Sequence, residues 1–181
     1  ISAMDIQVLT PTRKGETGTR NLNIVLQKAL NPAASSKKEK KYGEIVFREG
    51  DRVMQTRNNY DIIWAKPEKI EFSAEADCAS LPIITMGLKP VHGTGIFNGD
   101  IGFVAAIDAE NEIITVLFDD KLASYSFDML PELEHAFAMT VHKSQGSEFK
   151  AVIIALLDGS PQLMSRSVLY TAVTRARELL I

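Results

Sequence analysis

The chain opens and closes in one rhythm and runs through another in between. "DIQVLTPT" (Asp5 to Thr12) has the β-prone run of a strand, the turn "RKGETG" follows, and in "TRNLNIVLQKAL" Leu22, Val25, Leu26, Ala29 and Leu30 recur at helical spacing. A strand that turns into a helix is the repeating unit of a parallel sheet. After "PELEH" this rhythm returns: "AFAMTV", a polar turn, "AVIIALL" as a buried strand, "SRSVLYTAVTRAR" as a helix, and "ELLI" opening another strand. Between the two lie the short runs "DRVMQTRN", "GDIGFVAAID", "EIITVLFDD" and "LASYSFD", separated by Gly, Asn and Asp, as in a small antiparallel barrel. The chain is therefore expected to enter an α/β domain, leave it and re-enter it. Residues 1–43 and 131–181 form the first domain and residues 44–130 the β-rich insertion. Within that insertion, residues from about 65 to 95 show no clean period and read as irregular. "NPAASSKKEKKYGE" breaks the helical pattern with Pro, small residues and Lys37, Lys38, Lys40 and Lys41, and reads as a linker or an exposed, solvated excursion.

Composition narrows the partners. At 181 residues, 45% hydrophobic and 24% charged, the chain is ordinary for a soluble globular protein. No apolar stretch approaches the roughly 20 residues of a membrane span, and "ISAMDIQVLTPT" has neither a basic nor an apolar leader region, so a cytoplasmic protein is expected. Cys78 has no partner for an internal disulfide, and with His92, His135 and His142 it shows no metal-ligand spacing. No metal site is expected, and Cys78 is expected to be inert. A net charge of −3 excludes a nonspecific nucleic-acid coat protein, so any nucleic-acid contact must be local.

Four stretches could carry chemistry. In "AMTVHKSQGSEFKAVII", Thr140, His142, Lys143, Ser144 and Gln145 follow a strand's carboxyl end, and Gly146 allows close backbone approach, which suits a phosphate or a sugar. In "YTAVTRAR", Arg175 and Arg177 ride a helix that otherwise carries small and apolar residues. Thr171 stands one turn before Arg175, whose guanidinium could stabilise charge on a transferring phosphoryl group. Arg177 reads instead as a cation favouring the helix dipole. "TPTRKGETG" offers Arg13 and Lys14 ahead of a helix N-terminus, yet lacks the spacing of a phosphate-binding P-loop, which occurs nowhere in the chain. "GDRVMQTRNNY" mixes Arg52, Gln55, Arg57, Asn58, Asn59 and Tyr60, cations and amides with an aromatic ring, as phosphate contact and base stacking require.

Taken together, "TVHKSQGSEF" and the later "LYTAVTRAR" resemble motifs V and VI of superfamily 1 helicases. With "GDRVMQTRNNY" and "FNGDIG" upstream, the resemblance narrows to the RecD-like branch, the exodeoxyribonuclease V alpha-subunit family. It implies a RecA-like parallel-sheet domain of the P-loop NTPase fold, the second motor domain (2A), interrupted by a Src homology 3-like antiparallel β-barrel (2B). It further implies that Arg175 is the arginine finger toward the ATP γ-phosphate, and that Gln145, Gly146 and Glu148 link the nucleotide cleft to the DNA track. Thr140, His142 and Lys143, with Arg52, Gln55, Arg57, Asn58 and Asn59 on the barrel, would then contact single-stranded DNA. The motif IV basic residue falls on Arg13 or Lys14.

ATP with Mg would be held mainly by an N-terminal RecA-like domain of the same protein. The sequence, which stops just after "RARELLI", reads as a fragment excised from that protein, lacking Walker motifs and unable to hydrolyse ATP alone. The implied activity is 5′ to 3′ DNA unwinding in recombination and repair, with single-stranded DNA, that N-terminal domain and the subunits of a helicase–nuclease complex as partners. Two alternatives remain open: the helicase segment of a conjugative relaxase, and a non-enzymatic barrel module that binds nucleic acid or peptide.

Overall fold

The apolar run after Asp5 forms β1 (Ile6–Thr10), and the helical pattern beyond the Gly-containing turn forms α1 (Thr19–Leu30), in a computed structural model that describes residues 5–71, 82–156 and 165–181. The strands that follow are β2 (Glu39–Tyr42), β3 (Ile45–Arg48), β4 (Arg52–Gln55), β5 (Asn59–Lys66), β6 (Lys69–Glu71), β7 (Ile83–Thr85) and β8 (Val91–Ile96). Then come β9 (Ile101–Asp108), β10 (Ile113–Phe118), β11 (Lys121–Ser126), a 3-10 helix (Phe127–Glu132) and β12 (Leu133–His135). The chain closes with β13 (Ala138–Thr140), β14 (Phe149–Ile154), α2 (Arg166–Val173) and β15 (Ala176–Leu180). These elements fall into two compact units, residues 1–29 with 136–181 and residues 30–135.

In the first unit the strands run parallel in the order β13-β1-β14-β15. β1 takes β13 on one side, Val8 opposite Ala138 and Thr10 opposite Thr140, and β14 on the other, Ile6 opposite Ala151 and Leu9 opposite Ile154. Buried on both faces, β1 hides Leu9 and even Gln7 completely, as parallel sheets do. Gln7 is tolerated because its Nε2 donates to the carbonyls of Ala136 and Phe137, 3.2 Å away in each case.

Helix α1 buries a stripe shifted from the apolar one its spacing predicts: Leu22, Leu26 and Leu30 are half-buried, whereas Val25 and Ala29 are exposed. Asn23 and Gln27 are buried, while Ile24 and Val25 are 50% and 53% exposed. The reason lies in β13, an edge strand whose outer backbone groups lack a neighbouring strand. Asn23 takes that neighbour's place: its Nδ2 donates to the Ala138 carbonyl at 3.0 Å, and its Oδ1 accepts the Ala138 N–H at 2.8 Å.

The second unit is a seven-stranded antiparallel sheet in the order β12-β4-β9-β10-β11-β5-β8. The four runs that the sequence marks as short strands are β4, β9, β10 and β11, and they are consecutive neighbours. Their inward residues, among them Val53, Val104, Ile114, Val116 and Tyr125, join Phe47 in one core. The unit reaches beyond residues 44–130 at both ends because both ends are bonded into it. Asn31 Nδ2 donates to Asp51 Oδ1 at 2.8 Å, and His135 Nε2 hydrogen-bonds Asp51 Oδ2 at 3.1 Å. The Arg48 N–H donates to the same Oδ2 at 2.7 Å, so the fully buried Asp51 carboxylate is shared by the first and last segments of the unit.

Three expectations change here. The lysine-rich stretch is not a plain linker: β2 pairs with β3, Lys40 Nζ sits 3.8 Å from the Phe127 ring centre, and Lys37 Nζ donates to Asn31 Oδ1 at 2.5 Å. The stretch from 65 to 95, where described, is regular. β5 and β8 pair antiparallel with Lys66 opposite Val91, and β6 pairs with β7. Its period was weak because only the core end of the ribbon has a buried face, with Ile62, Ile96 and Trp64 turned to the core, while Ile63 and Val91 are each 63% exposed. Cys78 lies outside the described residues. Finally, α2 ends at Val173, and Ala176 already belongs to β15, because pairing of Phe149 with Ala176 and Val152 with Leu180 outweighs the helical run-on of "TRAR".

Replacing Asn23 with Ala would strand a buried N–H and a buried C=O of β13. The expected cost is about 2–4 kcal/mol, read by urea unfolding of the 181-residue chain. A loss under about 0.5 kcal/mol, the size of an ordinary surface substitution, would show that β13 does not depend on this cap.

Candidate functional site

The polar loop between β13 and β14 is held from within. Ser144, fully buried, donates through Oγ to the Val141 carbonyl at 2.8 Å, and the N–H of Lys143 reaches the Thr140 carbonyl at 3.0 Å. Gln145 N–H donates back to His142 and Ser147 N–H to Ser144, so the segment winds as successive turns. Gly146 takes φ +87°, a conformation that side chains disfavour, and space beside its Cα is open. Thr140 is nearly buried and its Oγ1 lies 3.3 Å from the Lys143 N–H, whereas His142, Gln145, Gly146 and Glu148 are exposed.

The strand register shows where this loop goes. Thr140 is level with Thr10 at the carboxyl end of β1, and Phe149 precedes Ala151, which is level with Ile6 at the amino end. The loop thus travels from one edge of the sheet to the other. At the amino edge it meets Arg175, which follows α2 rather than riding it. The guanidinium donates to the Thr171 carbonyl at 3.2 Å through Nε, to the Ser147 carbonyl at 3.1 Å through Nη1, and to Thr174 Oγ1 at 3.1 Å through Nη2. The Arg175 carbonyl in turn accepts the Phe149 N–H at 2.9 Å. Three of the five guanidinium N–H groups are used, and two remain to meet an anion. Arg177, also off the helix, donates to Glu148 Oε2 at 2.7 Å, and both side chains are more than half exposed. Arg13 and Lys14, both exposed, follow the carboxyl end of β1, removed from Arg175 by the length of that strand, about 17 Å for five residues. The register therefore brings Ser147, Glu148, Arg175 and Arg177 together and leaves Arg13 and Lys14 at the other edge.

In the antiparallel unit, polar residues gather around a carboxylate. Glu132, 2% exposed, accepts from Gln55 Nε2 at 2.8 Å, Arg57 Nη2 at 2.5 Å and Asn59 Nδ2 at 3.0 and 3.1 Å. Tyr125 OH donates to Gln55 Oε1 at 3.0 Å. Burial works against a charge on Glu132, but the hydrogen bonds from Arg57, Asn59 and Gln55 outweigh it and hold the carboxyl below its ordinary value. Tyr125 is pushed up, first by burial and then by the Glu132 charge, and stays neutral. Arg52 and Gln55, expected to face nucleic acid, are buried at 8% and 0% exposure, because β4 is covered on both faces. Arg57 keeps 67% of its side chain exposed, and Asn58 is exposed while its Oδ1 accepts the Asn98 N–H at 2.9 Å. Glu132 itself escaped the sequence reading, since its donors lie 73 to 77 residues away along the chain and no local pattern announces it. Among the described residues no group of His, Cys, Asp and Glu could hold a metal ion, and no helix is long and apolar enough to cross a membrane.

A parallel sheet crossed by a polar loop, together with a separate antiparallel unit, is the frame that holds these residues. Residues 22–118 match the family model of the ATP-dependent RecD-like DNA helicase SH3 domain, more than half of the chain, and residues 135–181 match the UvrD-like helicase C-terminal domain. The chain belongs to the RecD-like DNA helicase family. It is 34% identical to the ATP-dependent RecD2 DNA helicase of Deinococcus radiodurans, over 96% of this chain and 19% of that protein. To the RecD subunit of the RecBCD enzyme of Haemophilus influenzae it is 29% identical, over 96% of this chain and 20% of that protein. The chain thus spans about a fifth of the length of these curated relatives. The crystal structure of Bacteroides Pif1 bound to single-stranded DNA has a similar fold, with a TM-score of 0.51 at 16% identity over 97% of this chain and 40% of that one.

The Glu132 cluster predicts an acid sensitivity. A carboxyl held below its ordinary 4.5 in the folded chain contributes stability that is present above that value and is lost as pH falls through the lower, folded one. Glu132→Gln should therefore be less stable than the parent at pH 7, and the gap should narrow as the pH is lowered below about 4.5. Thermal melting of both proteins from pH 7 to pH 3 checks this, and a gap independent of pH would contradict it.

Proposed function

We propose that this chain is the second half of an ATP-dependent DNA helicase motor. The parallel unit acts as RecA-like domain 2A, and the antiparallel unit, inserted into it, acts as the Src homology 3-like barrel 2B. The observation that carries the reading is Arg175: its guanidinium is oriented by Ser147 and Thr171 beside the loop of Glu148, with two donors to spare. Bound at this edge, ATP with Mg supplies the phosphoryl group to be transferred, held mainly by an N-terminal RecA-like domain of the whole protein. Arg175 then acts as the arginine finger. Its planar fork meets charge spread over the γ-phosphate oxygens, and because its own backbone anchors are already formed, little reorganisation is needed.

The loop that carries Glu148, Gly146 and Gln145 runs on to His142 and Lys143 at the other edge, so one continuous segment couples nucleotide to DNA. Thr140 acts there through the backbone it fixes. Arg13 or Lys14 supplies the motif IV cation at the carboxyl edge. On the barrel, DNA contact falls to Arg57 and Asn58, with Asn59 holding their support; Arg52 and Gln55 serve the interior. Single-stranded DNA and the N-terminal motor domain are the partners, in a cytoplasmic enzyme of recombination and repair that moves 5′ to 3′, on its own or with the subunits of a helicase–nuclease complex. By itself the 181-residue chain is not expected to turn over ATP, having no phosphate-binding loop.

Steady-state ATPase of the whole enzyme with saturating single-stranded DNA tests the finger. Arg175→Ala should lower kcat by on the order of 10³ to 10⁵, as for other arginine fingers, with DNA affinity little changed. Arg175→Lys should restore little of it, since a point charge cannot reproduce the fork. Arg177→Ala, which removes an exposed ion pair with Glu148, should be mild. Near-normal kcat in a folded Arg175→Ala enzyme, or an equal loss from Arg177→Ala, would remove the assignment.

DNA binding by the chain alone should be weak and should fall steeply with salt, because its cations are few and local while its net charge is −3. Titration of a labelled dT oligomer between 50 and 200 mM salt checks this, and affinity indifferent to salt would contradict it.

A further inference from the structure

Resting on the DNA-binding reading above, we propose that Tyr60 and Phe97 form a base-stacking platform for single-stranded nucleic acid on the antiparallel unit, with Arg57 and Asn58 at its border as backbone contacts. The two rings meet edge to face, with centroids 5.7 Å apart at 73°, and both are solvent-facing, Tyr60 65% and Phe97 41% exposed. Two aromatic rings in contact thus present accessible faces side by side on the surface.

Their backbone is fixed. The turn from Phe97 to Asp100 is closed by the Asp100 N–H on the Phe97 carbonyl at 3.0 Å and by the Phe97 N–H on Asp100 Oδ2 at 2.9 Å. That turn is tied to the neighbouring segment by Gly99 N–H on the Gln55 carbonyl, Gln55 N–H on the Asp100 carbonyl and Asn98 N–H on Asn58 Oδ1, each 2.9 Å. The ladder between β5 and β8 slips between Asn59 and Ile63, a bulge of the kind that re-aims a side chain, and Tyr60 lies within it. Gly95, at φ +95°, leaves room for the Phe97 ring, whose Cζ would stand 3.3 Å from a Cβ placed there. The rings are therefore presented by a scaffold that does not have to be ordered on binding, which keeps the entropic cost of stacking low.

The border favours a polyanion that carries flat rings. Arg57 is fixed at its Nη2 by the buried Glu132 and projects the rest of an exposed guanidinium. Among the described residues Asn58 Nδ2 has no protein partner once its Oδ1 has taken Asn98, so it is a free donor beside the rings. Aromatic faces flanked by a guanidinium and an amide donor are the elements of sequence-tolerant single-strand binding, since every base has a π-face and every nucleotide a phosphate. Glu132 acts here as a positioning residue, setting Arg57 and Asn59 without touching the ligand.

The test uses the 181-residue chain at low salt, with a fluorescent dT oligomer and an abasic oligomer of the same length as probes. Tyr60→Ala and Phe97→Ala should each weaken dT binding about tenfold, leave the salt slope unchanged and leave abasic binding unaltered. Tyr60→Phe should bind as the parent does, and thermal melting confirms folding of every variant. Independently of any variant, a bromodeoxyuridine-substituted oligomer should photocrosslink to peptides that contain Tyr60 or Phe97. Parent-like dT binding by both Ala variants, or an equal loss on the abasic oligomer, would overturn the platform and leave the DNA reading standing. Crosslinks confined to other peptides would do the same, placing these rings in contact with something other than DNA, such as a protein partner. A parent chain that bound neither oligomer would overturn the DNA reading and the platform with it.

Discussion

The parallel unit depends on the backbone hydrogen bonds of β1. Its five residues take β13 on one side and β14 on the other, and both partners arrive only after the whole antiparallel unit has been traversed. No local hairpin can satisfy such pairing; parallel neighbours must be brought round by a crossover, and the closure entropy is met before any of these bonds forms. The tolerance of buried polar side chains follows from this. Gln7 in the middle of β1 and Asn23 on α1 both spend their amides on the residues 136–138 that lead into and form β13, fixing the returning strand where three residues of ladder alone would hold it weakly.

The antiparallel unit meets the same topological problem with charge. Asn31 and His135, at its two ends, share the carboxylate of Asp51, and that carboxylate also takes the Arg48 N–H at the turn before β4. Glu132 repeats the device closer to the surface, where one buried carboxylate accepts from three side chains of the β4–β5 segment. Buried carboxylates of this kind are costly to leave unpaired, so each specifies which segments must come together. Glu132 also anchors Arg57 and Asn59 at the surface, and such anchoring lowers the ordering cost of binding there.

The sequence discloses the two rhythms, the strand β1, the helix α1 and the short strands β4, β9, β10 and β11, because each carries an apolar run that meets a core. It misleads where that condition fails. The β5–β8 ribbon turns Ile62, Trp64 and Ile96 to the core at one end only and leaves Ile63 and Val91 in solvent, and α1 buries Asn23 and Gln27 beside its half-buried leucines, since an edge strand required donors and acceptors. "TRAR" looks helical in isolation, yet the helix ends at Val173 and Ala176 and Arg177 enter a strand because β14 offers a ladder. The motif loop was recognisable by residue type, yet its path across the sheet, which separates Arg13 and Lys14 from Arg175, follows only from the strand register. Glu132 and Asp51 gave no local sign, being defined by partners distant in the chain.

What the fold adds to the family assignment is a mechanical reading of one loop. Eight residues span the sheet from the β13 end that carries His142 and Lys143 to the edge where Ser147 accepts from Arg175, and in the proposed motor a shift of the guanidinium toward a phosphate acts on the loop through that carbonyl. The most direct measurement is a structure of the whole enzyme with single-stranded DNA and a metallofluoride mimic of the transferring phosphoryl group. The account predicts the Arg175 guanidinium within about 2.7–3.2 Å of the mimic, with Ser147 still among its acceptors. Arg175 turned away from the nucleotide, with a different cation such as Arg13 or Lys14 in its place, would contradict it.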